Sequence, residues 1–410
     1  MLNYLSERTI VTRLILIFGV VALCAGCRPA GNHFSAEDSG GQLDKVVEKY
    51  ATFYEQVLLQ NNRLPARFPR SLKADGTLKM VGTADGDSGY FPGILWMLYE
   101  YSQDEVWKNR AIRFTEYLED QLYNVQGSDA GLKMVCSFGR AFTHTGEIRY
   151  FNILEQAARS LSLRFNSQVG CLNFGDNSSP RYHFPVTIDH LMSLELPLWA
   201  FRQTSDPVYL NIVNSHARKI LQEHIGPDYR IFQVVDFDPV SGEVRSKNNS
   251  FGTDEASDWA RGQAKAVYGF TRLYEITQKA EYLETAEKLA DNYLEHPNLP
   301  DDKIPYWDLL APGIPEEPRD ASAAAIMASA LINLSQLSGK NHRYLQAAAQ
   351  MLETLSSPAY FNFHSNQGFL LKQVTIDKPG DLEVNTSSIM ADYFYLEALL
   401  KWYRNSEKAS

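Results

Sequence analysis

Hydrophobic residues recur at helical spacing, at positions i, i+3, i+4 and i+7, along most of this chain. The pattern predicts twelve helices separated by polar segments. Their approximate bounds are 43–60, 89–102, 104–122, 129–145, 147–165, 187–203, 206–223, 257–277, 279–294, 320–337, 341–355 and 390–404. Strand-like runs are few. The best is Tyr229 to Phe237, followed by a turn at Pro239 and Gly242, which predicts a small β-hairpin in that loop.

Short polar turns join successive helices, and each is followed by an aromatic residue at the start of the next helix. These turns begin at Ser102, Thr145, Thr204, Thr277 and Ser338. Their long and uneven spacing indicates helical hairpins connected by loops of variable length. The repeat continues to the end of the chain, so we expect one domain over residues 43–410.

The predicted helices alternate between two kinds. The odd-numbered ones are amphipathic and charged, whereas the even-numbered ones, such as 320–337, are apolar on most sides and are expected to be buried. Six buried and six amphipathic helices fit two concentric rings, an all-α (α/α)6 barrel. The long loops 61–88, 166–186, 224–256, 295–319 and 356–389 would then collect on one rim, where we expect the functional face.

The N-terminal residues read as a targeting segment. Arg8 and Arg13 precede a short apolar run, Leu14 to Ala25, that is about half of the ~20 residues a membrane-spanning helix needs. Cys27 follows Ala-Gly as in a bacterial lipobox, so we expect a lipoprotein signal over 1–26, lipidation of Cys27 and a flexible tether over 27–42. A plain cleaved signal is the alternative. The residue after Cys27 is Arg28 and not the aspartate that is associated with retention in the inner membrane. This favours the outer membrane as the location of the anchor.

Charge and cysteine content narrow the function further. The formal net charge of -10 argues against a nucleic-acid partner. Cys136 and Cys171 are the cysteines of the domain over 43–410, and no Cys/His spacing suits a zinc site, so we expect no metal. The two cysteines are expected to be buried thiols, although an oxidising compartment would permit a disulfide. The sequence leaves the oligomeric state open.

An aspartate stands at or just before the start of each even-numbered helix. These residues are Asp87, Asp129, Asp189, Asp258, Asp320 and Asp392. Aspartate commonly caps helix N-termini, and we expect most of the six to do so. The same geometry nevertheless gathers carboxylates around the mouth of the barrel. A pair of carboxylates is what acid/base chemistry on a sugar requires.

Aromatic residues and one arginine accompany these carboxylates. Tyr90, Trp259 and Tyr393 lie near helix starts, and Tyr306 and Trp307 lie in a proline-bounded loop. Aromatic rings beside carboxylates indicate a sugar ligand. Arg261 lies on an otherwise apolar helix, where an unpaired cation is costly, so it either pairs with a rim aspartate or binds an anionic ligand.

Several blocks of the chain carry distinctive motifs. Asp258-Trp-Ala-Arg-Gly-Gln-Ala-Lys-Ala-Val-Tyr-Gly-Phe270 resembles the pattern Trp-Ala-Arg-Gly-Gln-Ala-Trp-x-x-Tyr-Gly-Phe of the unsaturated glucuronyl hydrolases, glycoside hydrolase family 88. Blocks 187–194, 305–308, 319–326 and 391–399 resemble further segments of that family, and Ser128-Asp-Ala-Gly131 stands where it has His-Asp-Leu-Gly. The resemblance extends over roughly residues 45–404 and implies the same barrel.

The resemblance implies a hydrolase that removes the 4,5-unsaturated uronic acid from lyase-generated oligosaccharides. It implies hydration of the C4–C5 vinyl ether, with Asp189 as general acid/base, Asp129 as the second carboxylate, and no cofactor. This chemistry is physically reasonable, because a protonated vinyl ether is an oxocarbenium-like cation that nearby carboxylates stabilise.

The polar lining departs from the family pattern while both aspartates are retained. His190 replaces an asparagine, Gln233 and Gln373 replace histidines, and a rim tryptophan before Ser-Gly-Phe is replaced around Gly86. Further departures fall at Ser128, Ser193 and Phe251. We expect a substrate-binding surface with a shifted preference. It comprises Tyr90, His190, Gln233, Trp259, Arg261, Tyr306, Trp307, Gln373 and Tyr393.

Two other functions remain open at this point. The lost histidines are compatible with a catalytically weak or inactive glycan-binding lipoprotein on the same barrel. The other is an unsaturated rhamnogalacturonyl hydrolase, against which the Trp-Ala-Arg-Gly-Gln block argues.

Overall fold

Helical hairpins make up most of the fold, as the periodicity predicts. The computed structural model describes residues 34–62, 64–124, 127, 129–173, 175, 182–249, 252, 257–363 and 368–409. The predicted signal, Cys27, Ser128 and Phe251 lie outside the described residues, as does the first part of the predicted tether.

Each of the twelve predicted helices has a counterpart among the described residues. The α-helices are α1 (Ala36–Asn61), α2 (Tyr90–Ser102), α3 (Glu105–Glu116), α4 (Ala130–Met134), α5 (Arg140–Thr145), α6 (Ile148–Ser162), α7 (His190–Ser193), α8 (Glu195–Thr204), α9 (Pro207–Glu223), α10 (Ala260–Thr277), α11 (Ala280–Glu295), α12 (Ala321–Leu337), α13 (Asn341–Leu355) and α14 (Ile389–Ala409). Short 3₁₀ helices cover Gly86–Gly89 and Glu119–Tyr123. Three predicted helices are divided. A π-helical turn, Val135–Gly139, joins α4 to α5, and Leu194 separates α7 from α8. The predicted helix 104–122 is split into α3 and the 3₁₀ helix Glu119–Tyr123.

The apolar helices form a closed inner ring. Helix α2 packs against the π-helical turn after α4, α4 against α7 and α8, α7 against α10, α10 against α12, and α12 against α14, which returns to α2. Residues 90–98 of α2 and 321–332 of α12 are buried without a break, as expected for helices enclosed on all sides. The even-numbered predicted helices are therefore the inner ring of an (α/α)6 barrel.

The amphipathic helices form the outer layer and bury one stripe each. Helix α3 packs on α2, α9 on α8, α11 on α10 and α13 on α12, while α6 packs on the segment from α4 to α5. Helix α1 packs on α14, so the first and last helices of the chain form a hairpin-like pair that closes the outer ring.

The polar turns are built by left-handed residues and aspartate caps. Four inner helices end at residues with positive φ, namely Gln103, Gly146, Ser205 and Gln278. Asp104 and Asp206 follow two of these and accept hydrogen bonds from the backbone N–H groups of Val106 and Val208, both at 2.9 Å. Such caps satisfy N–H groups that have no partner inside the helix.

Among the described residues, seven short strands form small sheets on the opposite rim, where the long loops lie. Strands β1 (Phe68–Leu72) and β2 (Leu78–Val81) pair antiparallel, as do β3 (Phe165–Asn166) and β4 (Cys171–Leu172). Strands β5 (Pro185–Thr187), β6 (Val234–Phe237) and β7 (Val244–Asn248) form one antiparallel sheet in that order. The predicted hairpin is thus present as β6 and β7, and β5 extends it toward the segment that carries Asp189.

Helix α1 begins at Ala36, before the start at residue 43 that the pattern predicts. Ser35 accepts a hydrogen bond from the backbone of Asp38, whose side chain accepts one from the backbone of Ser35, a capping box. Residues 36–42, which were expected to belong to the tether, are therefore helical.

Cys136 and Cys171 are both buried, and both are free thiols. Within the described ranges, none of the helices combines the length and apolar character needed to cross a membrane.

Candidate active site

The mouth of the inner ring carries the six aspartates, and most of them do not cap a helix. Asp320 has extended backbone angles and accepts the N–H of Ser322 at 3.0 Å, so it caps α12. Asp129 and Asp189 precede α4 and α7 with φ, ψ of -101°, 9° and -59°, -27°, and neither side chain makes a cap hydrogen bond. Capping needs extended backbone at that residue, so these two carboxylates are turned away from their own helices. The expectation that most of the six are caps is wrong.

The other three aspartates are held by partners outside a helix cap. Asp392 accepts the backbone N–H groups of Leu370 and Leu371 and the hydroxyl of Tyr50. Asp258 accepts a 2.7 Å hydrogen bond from Gln263. Asp87 pairs with Arg70 at 3.2 Å. Asp129 and Asp189 are therefore the pair without a structural role in a cap or a loop.

A glycine contact brings the Asp129 and Asp189 segments together. A Cβ atom added to Gly131, two residues after Asp129, would lie 2.0 Å from the carbonyl oxygen of Ser193. The backbone N–H of Gly131 also donates to the Ser193 hydroxyl at 3.3 Å. The first turns of α4 and α7 thus touch through their backbones, which only glycine permits here. The charges of Asp129 and Asp189 both act on the ammonium of Lys265, so the two carboxylates lie near one cation. We call the space between these three side chains the pit.

Lys265 projects from α10 into this pit and pairs with Asp189. Its ammonium donates a short hydrogen bond to Asp189 Oδ1, and the lysine and aspartate side chains are 6% and 9% exposed. Burial lowers the pKa of Lys265, but Asp189 and Asp129 more than offset this, so the pKa is raised overall. The lysine is therefore charged. Lys265 occupies the position of the second tryptophan in the family pattern.

Asp129 lies next to Gly86 and has a different environment. A Cβ atom at Gly86 would lie 3.1 Å from Asp129 Oδ2, and Asp129 Oδ1 is buried with no hydrogen-bond partner among the described residues. Burial raises the pKa of Asp129, the charge of Asp189 raises it further, and Lys265 opposes the shift. The two carboxylates thus differ: one is paired with a cation, and the other is desolvated.

A second group of charges supports the Asp129 side of the pit. Arg70 on β1 pairs with Asp85, Asp87 and Glu383 at 2.9, 3.2 and 3.3 Å. Burial raises the pKa of Asp87 to about 7, against the effect of Arg70, and the charges of Asp85 and Asp129 add to the rise. Three carboxylates share one guanidinium here, so Asp87 is poised to hold a proton near neutral pH.

Tyr90 lies beside Asp129, whereas Tyr393 faces deeper into the barrel. The Tyr90 hydroxyl is buried without a hydrogen-bond partner among the described residues, and its pKa is raised well above the usual value by burial and then by Asp129 and Asp87. Its ring is 5.2 Å from that of Tyr393. The Tyr393 hydroxyl accepts a 3.2 Å hydrogen bond from Arg140, at the end of α4–α5 away from the mouth. Tyr90 is therefore the better placed of the two for a ligand in the pit.

His190 and Gln233 surround the backbone of Asp189. The Nδ1 atom of His190 accepts the N–H of Thr187 at 3.2 Å, and the carbonyl of Gln233 accepts the N–H of Ile188 at 3.0 Å. Burial, followed by the neighbouring His216 and His224, holds the pKa of His190 well below its usual value. His190 is thus a neutral, buried residue that helps to fix the turn before α7.

Trp259 and Arg261 form one packed unit at the start of α10. The Arg261 guanidinium lies 5.1 Å from the Trp259 ring and donates to Asp320 Oδ2 at 2.8 Å and to the carbonyl of Thr375 at 2.7 Å. Of the two roles expected for Arg261, pairing with a rim aspartate is the one observed.

The remaining predicted residues lie on the surrounding loops. Tyr306 lies under the guanidinium of Arg319 at 5.1 Å, and the indole N–H of Trp307 donates to Glu317 at 2.8 Å. Both are largely buried in the loop before α12. Gln373 donates to the carbonyl of Ala359 and lines a separate groove of about 1170 Å³ between the β1–β2 hairpin and the loop before α14.

The structure thus unites Asp129, Asp189 and Tyr90, with His190 and Gln233 behind them. Lys265 and Gly131 are site residues that sequence reasoning missed, and Asp87 was named there only as one of the six aspartates at helix starts. The signal for Lys265 was present, since a lysine on an apolar inner helix replaces a tryptophan of the family pattern. Among the described residues, no cluster of three or more histidine, cysteine, aspartate or glutamate residues could hold a metal ion.

Comparison with known proteins gives a consistent group of relatives. An unsaturated glucuronyl hydrolase of Formosa agariphila is 36% identical over 94% of this chain and 96% of that protein. An unsaturated glucuronyl hydrolase of Bacillus sp. (strain GL1) is 30% identical over 82% of this chain and 91% of that protein. The crystal structure of an unsaturated glucuronyl hydrolase specific for heparin matches with a TM-score of 0.83 at 35% identity, covering 91% of this chain and 96% of its own. No family model matches the chain.

Proposed function

The chain belongs to the unsaturated glucuronyl hydrolases, and from this premise we propose that Asp189 and Asp129 hydrate the C4–C5 double bond of a terminal unsaturated uronic acid. The protein is a glycosidase that removes this sugar from oligosaccharides. The observation that carries the assignment of the two residues is their geometry. They are two uncapped carboxylates brought into one pit by the contact between Gly131 and Ser193.

The proposed reaction uses one carboxyl group twice. Protonated Asp189 gives its proton to C4, and the ring oxygen stabilises the positive charge that develops at C5. Water then adds at C5 and returns a proton to Asp189. The product of this addition is a hemiketal at C5. The hemiketal opens at the bond between C5 and the ring oxygen, and the aglycone leaves from C1 with its oxygen. Asp129 stabilises the cation and orients the sugar.

Loss of the ultraviolet absorbance of the double bond tests this function. The full chain is given lyase digests of chondroitin, hyaluronan, heparin, ulvan and alginate. Asp189→Asn should lower the rate by about 10²- to 10⁴-fold, because amide nitrogen cannot exchange the proton. Asp104→Asn is the matched control, since Asp104 caps α3 at the far rim and asparagine caps equally well. Equal rates for wild type and Asp189→Asn would refute the assignment.

The preferred polysaccharide is a separate part of the proposal. Relatives are named for heparin and for chondroitin disaccharides. We therefore expect a digest of a sulfated or non-sulfated glycosaminoglycan to be consumed first. Faster decay with the ulvan or alginate digest would contradict this expectation.

A glycan-binding protein without activity is the second candidate. It is supported by the Asp189–Lys265 ion pair, which engages the carboxylate proposed as general acid/base. Calorimetric binding of a disaccharide without any loss of absorbance would support this candidate over the enzyme.

We also propose that the chain is a lipoprotein of the bacterial cell envelope, anchored through Cys27. The support is the short apolar run and the Ala-Gly-Cys sequence. Cells that express the full chain can be fed a clickable fatty acid. Label should be incorporated in wild type and in Cys24→Ser, but not in Cys27→Ser. Label retained in Cys27→Ser would refute the anchor.

A further inference from the structure

Lys265 is a buried cation with unused hydrogen-bonding capacity. An ammonium group has three N–H donors, and among the described residues Lys265 uses one, toward Asp189 Oδ1. The side chain is 6% exposed, so the ammonium has little contact with bulk water. A buried ammonium in this state is suited to a second anionic partner.

The other cations near the pit are already bound to the protein. Arg261 is held by Asp320, Ser322 and two backbone carbonyls. Arg70 is shared by Asp85, Asp87 and Glu383. Within the described part of the chain, Lys265 is therefore the cation at the carboxylate pair that remains available to a ligand.

The chemistry of the substrate places an anion at this point. In an unsaturated uronic acid the carboxylate is attached to C5, next to the C4 atom that takes the proton. A group that reaches C4 from Asp189 therefore lies close to the substrate carboxylate. Since Lys265 contacts Asp189 directly, its ammonium lies within reach of the same carboxylate.

We propose that Lys265 is the binding residue for the C5 carboxylate of the substrate, and that it exchanges Asp189 for this carboxylate when the sugar enters. This inference rests on the proposed function and adds a specificity-determining residue to it. The exchange leaves Asp189 without its cation and beside a new negative charge. Both changes favour the protonated form that C4 requires. Asp189 thus takes a proton from solvent when the anionic substrate binds and gives it to C4. The water that adds at C5 returns a proton to Asp189, which releases it to solvent when the product leaves and Lys265 pairs with Asp189 again.

Charged and titratable groups from every neighbouring element face this pair. They are Asp129 and Lys133 on α4, Asp85 and Asp87 in the segment before α2, Tyr90 on α2, Arg70 on β1, Arg261 on α10, His190 on α7 and His224 at the end of α9. Burial lowers the pKa of His224 to about 4, so this histidine is neutral at physiological pH and adds no cation. Arg70, Lys133 and Arg261 are bound to other groups of the protein, so none of them replaces Lys265 at Asp189.

A methyl ester of the substrate carboxylate tests the proposal. The probe is the hydrogenated disaccharide, which lacks the reactive double bond, as free acid and as methyl ester. Wild type should bind the acid about tenfold more tightly than the ester or better, because the ester cannot accept a charge-assisted hydrogen bond. Lys265→Met should bind both alike, and Lys265→Arg should recover most of the preference. A Lys265→Met protein that keeps the wild-type preference would overturn the proposal.

The pH dependence of turnover provides an independent readout. The limb of kcat/KM that reports the catalytic carboxylate of the free protein should move to higher pH in Lys265→Met, because a buried carboxylate without its cation holds its proton longer. A limb that does not move would also count against the proposal. If wild type consumes no digest, the proposed function fails, while the binding comparison of acid and ester still decides the role of Lys265.

Discussion

Replacing Arg261 by methionine tests whether this guanidinium holds the rim of the barrel together. Arg261 and Asp320 are 3% and 0% exposed and are joined at 2.8 Å. Arg261 also donates to the carbonyl of Thr375 at 2.7 Å and to that of Ile376, in the loop before α14. The substitution keeps the volume of the aliphatic stem but removes the charge and all of these donors.

The expected loss follows from what the substitution leaves behind. Asp320 would keep its hydrogen bonds with Ser322 but would become a buried charge without a cation. Breaking a buried pair from one side costs about 3–5 kcal/mol. Each carbonyl that loses its donor costs about 1 kcal/mol more. Two carbonyls lose their donor, so we expect Arg261→Met to lower the free energy of unfolding by about 5–7 kcal/mol.

Urea unfolding followed by circular dichroism measures this difference. Arg343→Met is the matched control, since Arg343 pairs with Asp291 and Glu295 on the outer helices with its side chain 42% exposed. An exposed pair contributes about 1 kcal/mol or less, so the control should unfold almost as wild type does. An Arg261→Met protein within about 1 kcal/mol of the control would refute the structural role of Arg261. That result would favour the other role considered for Arg261, which is to bind an anionic ligand.

Three further outcomes follow from the same structure. Gly131→Ala should lower kcat about 100-fold or more, because its Cβ would overlap the facing backbone of Ser193 and separate the two carboxylates. At Gly41 an added Cβ would have nothing within 4 Å, so Gly41→Ala should stabilise α1 by about 0.5–1 kcal/mol. The pKa of Asp87 is about 7 in the folded state, above its unfolded value. The contribution of Asp87 to the free energy of unfolding is therefore lost as pH rises. In urea titrations between pH 5 and 7, the free energy of unfolding should fall by about 2–3 kcal/mol more in wild type than in Asp87→Asn. Tyr50→Phe should cost about 1.5–3 kcal/mol in the same assay, because Asp392 loses a buried 2.8 Å hydrogen bond.

The barrel was predictable because each layer has its own periodicity. Buried helices such as α12 are apolar on all sides, and outer helices such as α11 carry one buried stripe, so the alternation along the chain encodes two rings. The start of α1 was missed because Gly40 and Gly41 are poor helix formers. Packing overrides that preference, since Leu43 and Val46 are buried and the Tyr403 ring covers Gly40.

The site was predictable only in part, because capping depends on backbone angles that the sequence does not display. Asp129, Asp189 and Asp320 are the same residue type at the same position relative to a helix. Extended backbone at Asp320 turns its carboxylate onto α12, and the different angles at the other two leave theirs in the pit. Lys265 posed the opposite difficulty. Its identity was visible, but its partner lies 76 residues away in the chain and becomes evident only when α7 and α10 are adjacent.

The two carboxylates of the pit differ in a way that bears on which of them supplies the proton. Asp189 is paired with Lys265, whereas burial and the charge of Asp189 raise the pKa of Asp129. The carboxyl whose pKa is raised is therefore Asp129, whereas the proposed reaction takes its proton from Asp189. Exchange of Lys265 onto the substrate carboxylate removes this conflict, because it takes the cation from Asp189 alone. If Lys265 instead stayed on Asp189 in the bound state, Asp129 would be the group left to protonate C4. The loss of turnover in Asp129→Asn would then exceed that in Asp189→Asn.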